Sequence, residues 1–193
     1  VLKIPAATST VGETCGILKS FRDWAYDRGE TIRATTSFLM ADSTTPDGDY
    51  IKPQTNPTNT DCWNGKAYTP LNQLTPGRTK YGTNNNVRIF RYVDVLLMNA
   101  EAKIKNGKSG DAPFNEVRRR AQMPELTNVT FEQVIDERRM ELVCEWGERY
   151  NDLVRTGLAK TELKGWSEDK ALLPLPFNQY TQIPDLLKEP KDE

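Results

Sequence analysis

Apolar residues along this chain recur mostly at helical spacing, and the clearest run begins after Thr130. Thr130 followed three positions later by Gln133 has the form of a capping box, and Val129 and Val134 are spaced as a hydrophobic staple, so a helix is predicted from Phe131. At 100° per residue, Phe131, Ile135, Leu142 and Trp146 share one face with Val134 at its margin, while Met140, Val143 and Cys144 lie opposite. Arg138 and Glu145 fall on the first face. Charges set among apolar side chains predict ion pairs inside the packing, because removing one partner of a buried pair costs roughly 3–5 kcal/mol. The pattern predicts a helix covered on both sides; the alternative is a surface helix laced with solvated i,i+4 pairs. Gly147 should break the run. Tyr150, Leu153 and Val154 then mark a short second helix, with Arg149, Asp152 and Arg155 at i,i+3 spacing and Gly157 as its stop.

Upstream, Val87 begins another helical pattern. Phe90, Val93, Leu97, Ala100 and Ile104 form one stripe, and Val95, Met98 and Ala102 form a second, which predicts a helix covered on two sides with Asp94 and Glu101 beside the first stripe. We expect Asp94 and Glu101 to pair with arginines of the central segment, Arg138 or Arg149. After the turn at 107–110, Asp111 is predicted to cap a helix that turns Phe114, Val117 and Ala121 inward. Nearer the start, residues 1–12 read as an extended or loop entry. Ile17, Leu18, Phe21, Trp24 and Ala25 predict a helix ending before Gly29, and the Thr-rich run 31–40 predicts a strand. The expected fold is mainly α: tetratricopeptide-like helical hairpins with a long irregular loop region and little β. One or two such hairpins cover their own faces poorly.

Residues 41–86 are that loop, polar and punctuated by Pro46, Pro53, Pro57, Pro70 and Pro76. A structureless stretch of this length inside a compact domain is ordinarily functional or disordered. It carries Tyr50, Trp63, Tyr68 and Tyr81 among Asn, Asp and Thr. Rings in such company can stack on sugars while the short polar groups bond hydroxyls, or they can simply staple the loop to the body. Trp63 and Tyr68 are the first candidates for ligand contact, with Tyr50 and Tyr81 behind them.

Charge and composition narrow the function. With 26 basic and 27 acidic residues the net charge of −1 gives no electrostatic reason to bind nucleic acid or an anionic membrane surface. The chain contains no histidine, so neither a Ser-His-Asp triad nor a His-containing zinc site can be drawn. Cys15, Cys62 and Cys144 lack metal-ligand spacing; Cys144 reads as a small core residue, and Cys15 with Cys62 could bridge in an exported protein. No cofactor or metal is expected. Gly107-Lys108-Ser109 lacks the first glycine of a phosphate loop, since position 102 is Ala102, and Asp42, Asp47 and Asp49 lack EF-hand spacing.

The pattern Glu137-Arg138-Arg139-x-Glu141-Leu142-x-x-Glu145-x-Gly147-x-Arg149-x-x-Asp152-Leu153-x-Arg155-x-Gly157 resembles the signature of the SusD/RagB family. Arg91-Tyr92-Val93-Asp94-Val95-Leu96-Leu97-Met98 running to Ala100-Glu101-Ala102 is similar to a second motif of that family, and Asn115-Glu116-Val117-Arg118-x-Arg120-Ala121 to a third. Leu172-Leu173-Pro174-Leu175-Pro176 resembles its closing element, and the tract from Asp27-Arg28 to Arg33-Ala34-Thr35 is a weaker match. The last ten residues depart from the pattern.

The resemblance implies the C-terminal part of a nutrient-binding lipoprotein of the cell outer membrane. Such a protein is surface-exposed, captures a glycan or peptide, and delivers it to a SusC-like TonB-dependent transporter. It further implies a lipid anchor at an N-terminus this chain does not contain, and no enzymatic activity. It divides the chain into a loop-rich region (1–86) with one helix and a short strand, a helical core (87–176) and a tail (177–193). In this reading Asp94, Glu101, Arg138, Glu141, Glu145, Arg149, Asp152 and Arg155 are struts of an ion-pair network rather than reagents. Two alternatives remain open: a tetratricopeptide-like protein-interaction module, and a two-carboxylate glycoside hydrolase drawing on Asp42, Asp47, Asp49 and Asp61.

Overall fold

The computed structural model describes residues 16–53, 60–74, 89–145 and 148–171. Five strands and seven α-helices are described, with short 3-10 turns between them. In chain order they are β1 (Gly16–Leu18), α1 (Lys19–Asp27), α2 (Ile32–Ser37), β2 (Phe38–Met40), β3 (Ser43–Thr44), β4 (Tyr50–Ile51) and β5 (Thr60–Asn64). There follow α3 (Tyr92–Lys105), α4 (Asp111–Arg120), α5 (Phe131–Glu141), α6 (Glu148–Arg155) and α7 (Ala159–Glu162). Helices dominate, as the periodicity predicts. By contact the chain falls into two compact units, Val1–Arg149 and Tyr150–Glu193.

In the first unit, α3, α4 and α5 share an apolar core of Val93, Leu96, Leu97, Ala100, Phe114, Val117, Val129 and Val134. The capping box at Thr130 and Gln133 is formed, and Val129 and Val134 are both buried beside it. Gly110 is what lets α4 begin this close to α3: a Cβ there would stand 2.9 Å from the Ala100 carbonyl oxygen. Asp111 is the first residue of α4 and not its cap. Its carboxylate instead accepts the backbone N–H groups of Asn128 and Val129, at 3.0 and 2.9 Å, and so ties down the loop leading into α5.

Two expectations for these helices are corrected. The second stripe of α3 is uncovered: Val95 and Met98 are 49% and 43% exposed, and Phe90, assigned to the inner stripe, precedes the helix and is 76% exposed. Together with Ile89 and Tyr92 they form an apolar strip along one side of α3. Helix α5 ends a turn before the apolar pattern does. Leu142 caps it, Cys144 has a left-handed backbone (φ 61°) and is exposed rather than in the core, and Glu145 sits in the turn that follows.

Near the start of the described chain, β5 is the middle strand of an antiparallel sheet in the order β1-β5-β2. Ile17 and Leu18 lie in β1, so the first helix is shorter than predicted. The strand predicted over 31–40 is helical up to Ser37, and only its last three residues are extended. β-propensity yields here to local bonding: the Thr35 hydroxyl donates to the Thr31 carbonyl at 2.8 Å and Thr36 to that of Ile32 at 3.1 Å, which the helix permits. The same turn carries Arg33 inward. A second small core, Ile17, Ala25, Ala34, Phe38, Cys62 and Met140, joins α1, α2 and the sheet to α5. The bridge between Cys15 and Cys62 lies outside the described residues, because Cys15 does.

The second unit holds α7 and the 3-10 turn Glu168–Ala171. Gly157 stops the preceding helix with φ 76°, as its position predicts. Trp166 is half-buried there.

Candidate functional site

The most ordered polar feature is a cluster of charges gathered around the inner side of α5. Glu137, fully buried, accepts from Arg33 at 2.6 Å, from Arg28 at 2.7 Å and from Arg118 at 3.0 Å. Arg33 also forks onto Glu30 at 2.8 and 2.5 Å and reaches Glu141 at 3.1 Å. Glu141 is shared with Arg120 at 2.6 Å and Arg91 at 3.0 Å. Bidentate, charge-assisted bonds of this kind are the strong ones and need the planar guanidinium fork.

The C-terminal end of α5 is finished by cations. The Lys66 ammonium and the Arg91 guanidinium donate to the Glu141 carbonyl at 2.5 and 2.7 Å, and both pair with Glu145, at 2.7 and 2.8 Å. Positive groups there complement the helix dipole and occupy a carbonyl without an intrahelical partner. This explains why α5 stops where it does. Asp94 accepts from Arg138 at 2.5 Å, and Glu148 lies 3.7 Å from the same arginine. Glu101 pairs with Lys105 one turn along α3 at 3.1 Å. In the second unit Asp152 is buried and takes Arg155 at 2.6 Å; Arg149, the last residue of the first unit, is half-buried in the first turn of α6.

Burial pushes the Glu137 carboxyl up, but the guanidinium charges of Arg33 and Arg28, the hydrogen bond from Arg33 and the Arg118 charge outweigh it. The net result lies below the ordinary glutamate value of 4.5. A carboxylate held low in the folded state contributes stability that is present above its unfolded pKa and lost as pH falls through the folded one. Urea midpoints should therefore change little from this group between pH 7 and about 5 and drop below about 4.5 as Glu137 is protonated. A Glu137→Gln variant should show a shallower drop. Burial pulls Lys66 down against the upward influence of Glu145.

Of the four rings singled out as ligand contacts, the three that are described do not form one platform. Trp63 lies in the middle strand, facing Gly16 on one side and Leu39 on the other in register, and is only 5% exposed; it is an anchor of the sheet with no face open to a sugar. Tyr68 is half-buried and donates its hydroxyl to Asp49, which also accepts the Leu71 N–H at 2.8 Å. Burial and that carboxylate push the phenol up. Asp49 is thus occupied in pinning the β3–β4 hairpin to the 3-10 turn at 71–73. Tyr50, next in the strand and pointing the other way, is 49% exposed and donates to Asp42 at 2.6 Å. Tyr81 lies outside the described residues, as does the side chain of Asp61. Of the acids proposed for a hydrolase, Asp42 and Asp49 accept from tyrosines on opposite faces of one hairpin and do not flank a common cleft.

The sequence model of the SusD family matches residues 16–184. That is most of the chain. The chain belongs to the SusD family. This SusD-family chain is 31% identical over 121 residues to the SusD-like protein P38 of Formosa agariphila, covering 53% of the chain and 24% of that relative. It is 33% identical over 84 residues to the starch-binding protein SusD of Bacteroides thetaiotaomicron, covering 43% and 15%. Among solved structures, the surface glycan-binding protein A from B. thetaiotaomicron superposes with a TM-score of 0.72 at 27% identity, over 90% of this chain and 40% of that one. The same protein in complex with laminarihexaose gives 0.67 at 25% identity, over 88% and 39%. The chain thus spans well under half the length of these relatives, of which SusD and surface glycan-binding protein A are named as binding proteins.

Within the SusD-family motifs, the sequence marks Glu137, Arg138 and Glu141, and more weakly Arg28 and Arg33, but not Glu30 and Lys66, which complete the cluster. Those partners come from a region whose local signals concern turns and strands. A usable sign was present at Arg33, set between Ile32 and Ala34, and at Arg118, one helical turn from Phe114.

Proposed function

We propose that the protein captures a glycan at the cell surface and delivers it to a SusC-like TonB-dependent transporter. In this reading it is held at the outer membrane by an N-terminal lipid anchor, and this chain supplies part of its helical frame. The observation carrying the proposal is the likeness to surface glycan-binding protein A, one structure of which holds laminarihexaose. The ion cluster agrees with it: Glu30, Glu137 and Glu141 are each engaged by at least two cations, which is what a frame requires and what an acid catalyst or nucleophile could not tolerate. A protein-interaction reading draws on the apolar strip from Ile89 to Met98. It overlaps with the first, since contact with a transporter is itself a protein interface.

The test is to screen the whole lipoprotein without its lipid against glycan and peptide arrays. A glycan class should be retained and peptides should not. Where the bound glycan stacks on Tyr50, Tyr50→Ala removes about 0.5–1.5 kcal/mol beyond burial. An array on which only peptides bind would overturn the glycan assignment. Pull-down of the tagged protein from outer membranes should bring a TonB-dependent barrel with it.

A further inference from the structure

A cavity of about 230 Å³ opens where α1, α4, α5 and the loop between α4 and α5 meet. Its walls are Trp24 and Arg28 from α1, Phe114 and Arg118 from α4, Leu126 from the loop, and Gln133 and Asp136 from α5. We infer that this cavity is a glycan subsite holding one pyranose ring, a proposal that rests on the glycan-capture reading above.

Three observations carry it. The first is a set of polar groups left over after the framework is satisfied. Arg118 spends Nε on the Pro124 carbonyl at 2.6 Å and Nη1 on Glu137, while its Nη2 makes no hydrogen bond among the described residues. Gln133 uses its side-chain oxygen on the Thr130 N–H at 2.9 Å and leaves its amide donors unused, and the exposed Asp136 carboxylate accepts nothing among the described residues. Two donors and one acceptor facing an open cavity suit hydroxyls, which donate and accept at once.

The second observation is rigidity. Arg28 is fixed by Glu137 and by the Asp136 carbonyl at 3.0 Å, and Arg118 by Glu137 and Pro124, so the donors are held before any ligand arrives. The third is shape and charge. Leu126 and Trp24 supply apolar wall, with the fully buried Phe114 behind them; the Trp24 ring is held by Arg28 and Arg139, whose guanidinium carbons lie 4.9 and 4.4 Å from its centre. Glu137 engages both arginines of the rim and the exposed Asp136 carboxylate stands in the same lining, which favours a neutral ligand over an anionic one. The volume is below the roughly 300–1,000 Å³ of drug-sized sites and suits a single ring.

The test uses the whole protein with glucose, galactose, mannose and laminarihexaose as probes, read by calorimetry and by the NMR signals of the Gln133 side-chain amide and the Leu126 methyls. One sugar should shift those signals. Asp136→Ala should weaken its binding about tenfold, the size expected for loss of a charge-assisted bond, and Gln133→Ala by a few-fold. Asp136 is exposed and outside the ion cluster, so Asp136→Ala should melt with the parent, while Gln133→Ala loses half of the α5 capping box and should melt slightly lower, its affinity being read well below that temperature. If a glycan binds with unmoved Gln133 and Leu126 signals and unchanged affinity in both variants, the subsite is wrong and the glycan-capture reading survives. If none of these sugars nor any arrayed glycan binds the parent, both fall.

Discussion

Replacing Glu137 with Gln should cost about 3–5 kcal/mol, the range for removing one member of a buried ion pair. The substitution keeps the shape of the side chain and removes only the charge. Arg33, Arg28 and Arg118 then converge on a neutral amide that can accept at one oxygen and offers repelling donors at its nitrogen. Against a domain stability of about 5–15 kcal/mol, that is a large fraction. Thermal unfolding of Glu137→Gln beside the parent checks it.

A double substitution sharpens the argument. Arg33→Met with Glu137→Leu should cost less than the sum of the two single changes, because each single change strands a charge and the double removes the pair. Glu30 and Glu141 would still lose Arg33, so the double variant should remain below the parent. Additive losses would mean that these side chains do not act as one unit.

How much of this arrangement was legible beforehand follows from where each signal resides. The start of α5 was readable because its cap, its box and its staple are local, spanning Val129 to Val134. Its end was not, because what stops it is Lys66 and Arg91 arriving from distant positions to take the Glu141 carbonyl. The same holds for the rings of the loop. Composition marks Trp63 and Tyr50 alike, and only strand pairing decides that one is enclosed by β1 and β2 while the other faces solvent. For α3, periodicity shows two apolar stripes correctly but cannot say that this chain covers only one of them. The candidate subsite was invisible for a further reason. Trp24, Arg118 and Asp136 have unremarkable local surroundings, and their juxtaposition is a product of packing three helices.

Gly65→Ala should destabilise the protein by about 1–3 kcal/mol or more, the range for forcing extra volume into a packed site. A Cβ at position 65 would stand 2.2 Å from the Thr36 carbonyl oxygen and 3.2 Å from the Ser37 carbonyl carbon, so backbone would meet backbone and no side chain could swing aside. The contact is the seam between the end of α2 and the 3-10 turn Gly65–Ala67, whose Lys66 N–H donates to the Asn64 side chain at 2.9 Å. Relieving the clash must move that turn, and with it Lys66, whose ammonium finishes α5. Lys66→Met separates the two effects. If the glycine matters mainly by placing Lys66, adding Gly65→Ala to Lys66→Met should cost much less than it does in the parent; if the seam itself is the source, the two losses should add. The direct clash at 2.2 Å leads us to expect near-additivity, and hydrogen exchange should then quicken in α2 and β5 before it does in α5. A Gly65→Ala protein melting with the parent would mean that α2 and the turn are not packed at this distance.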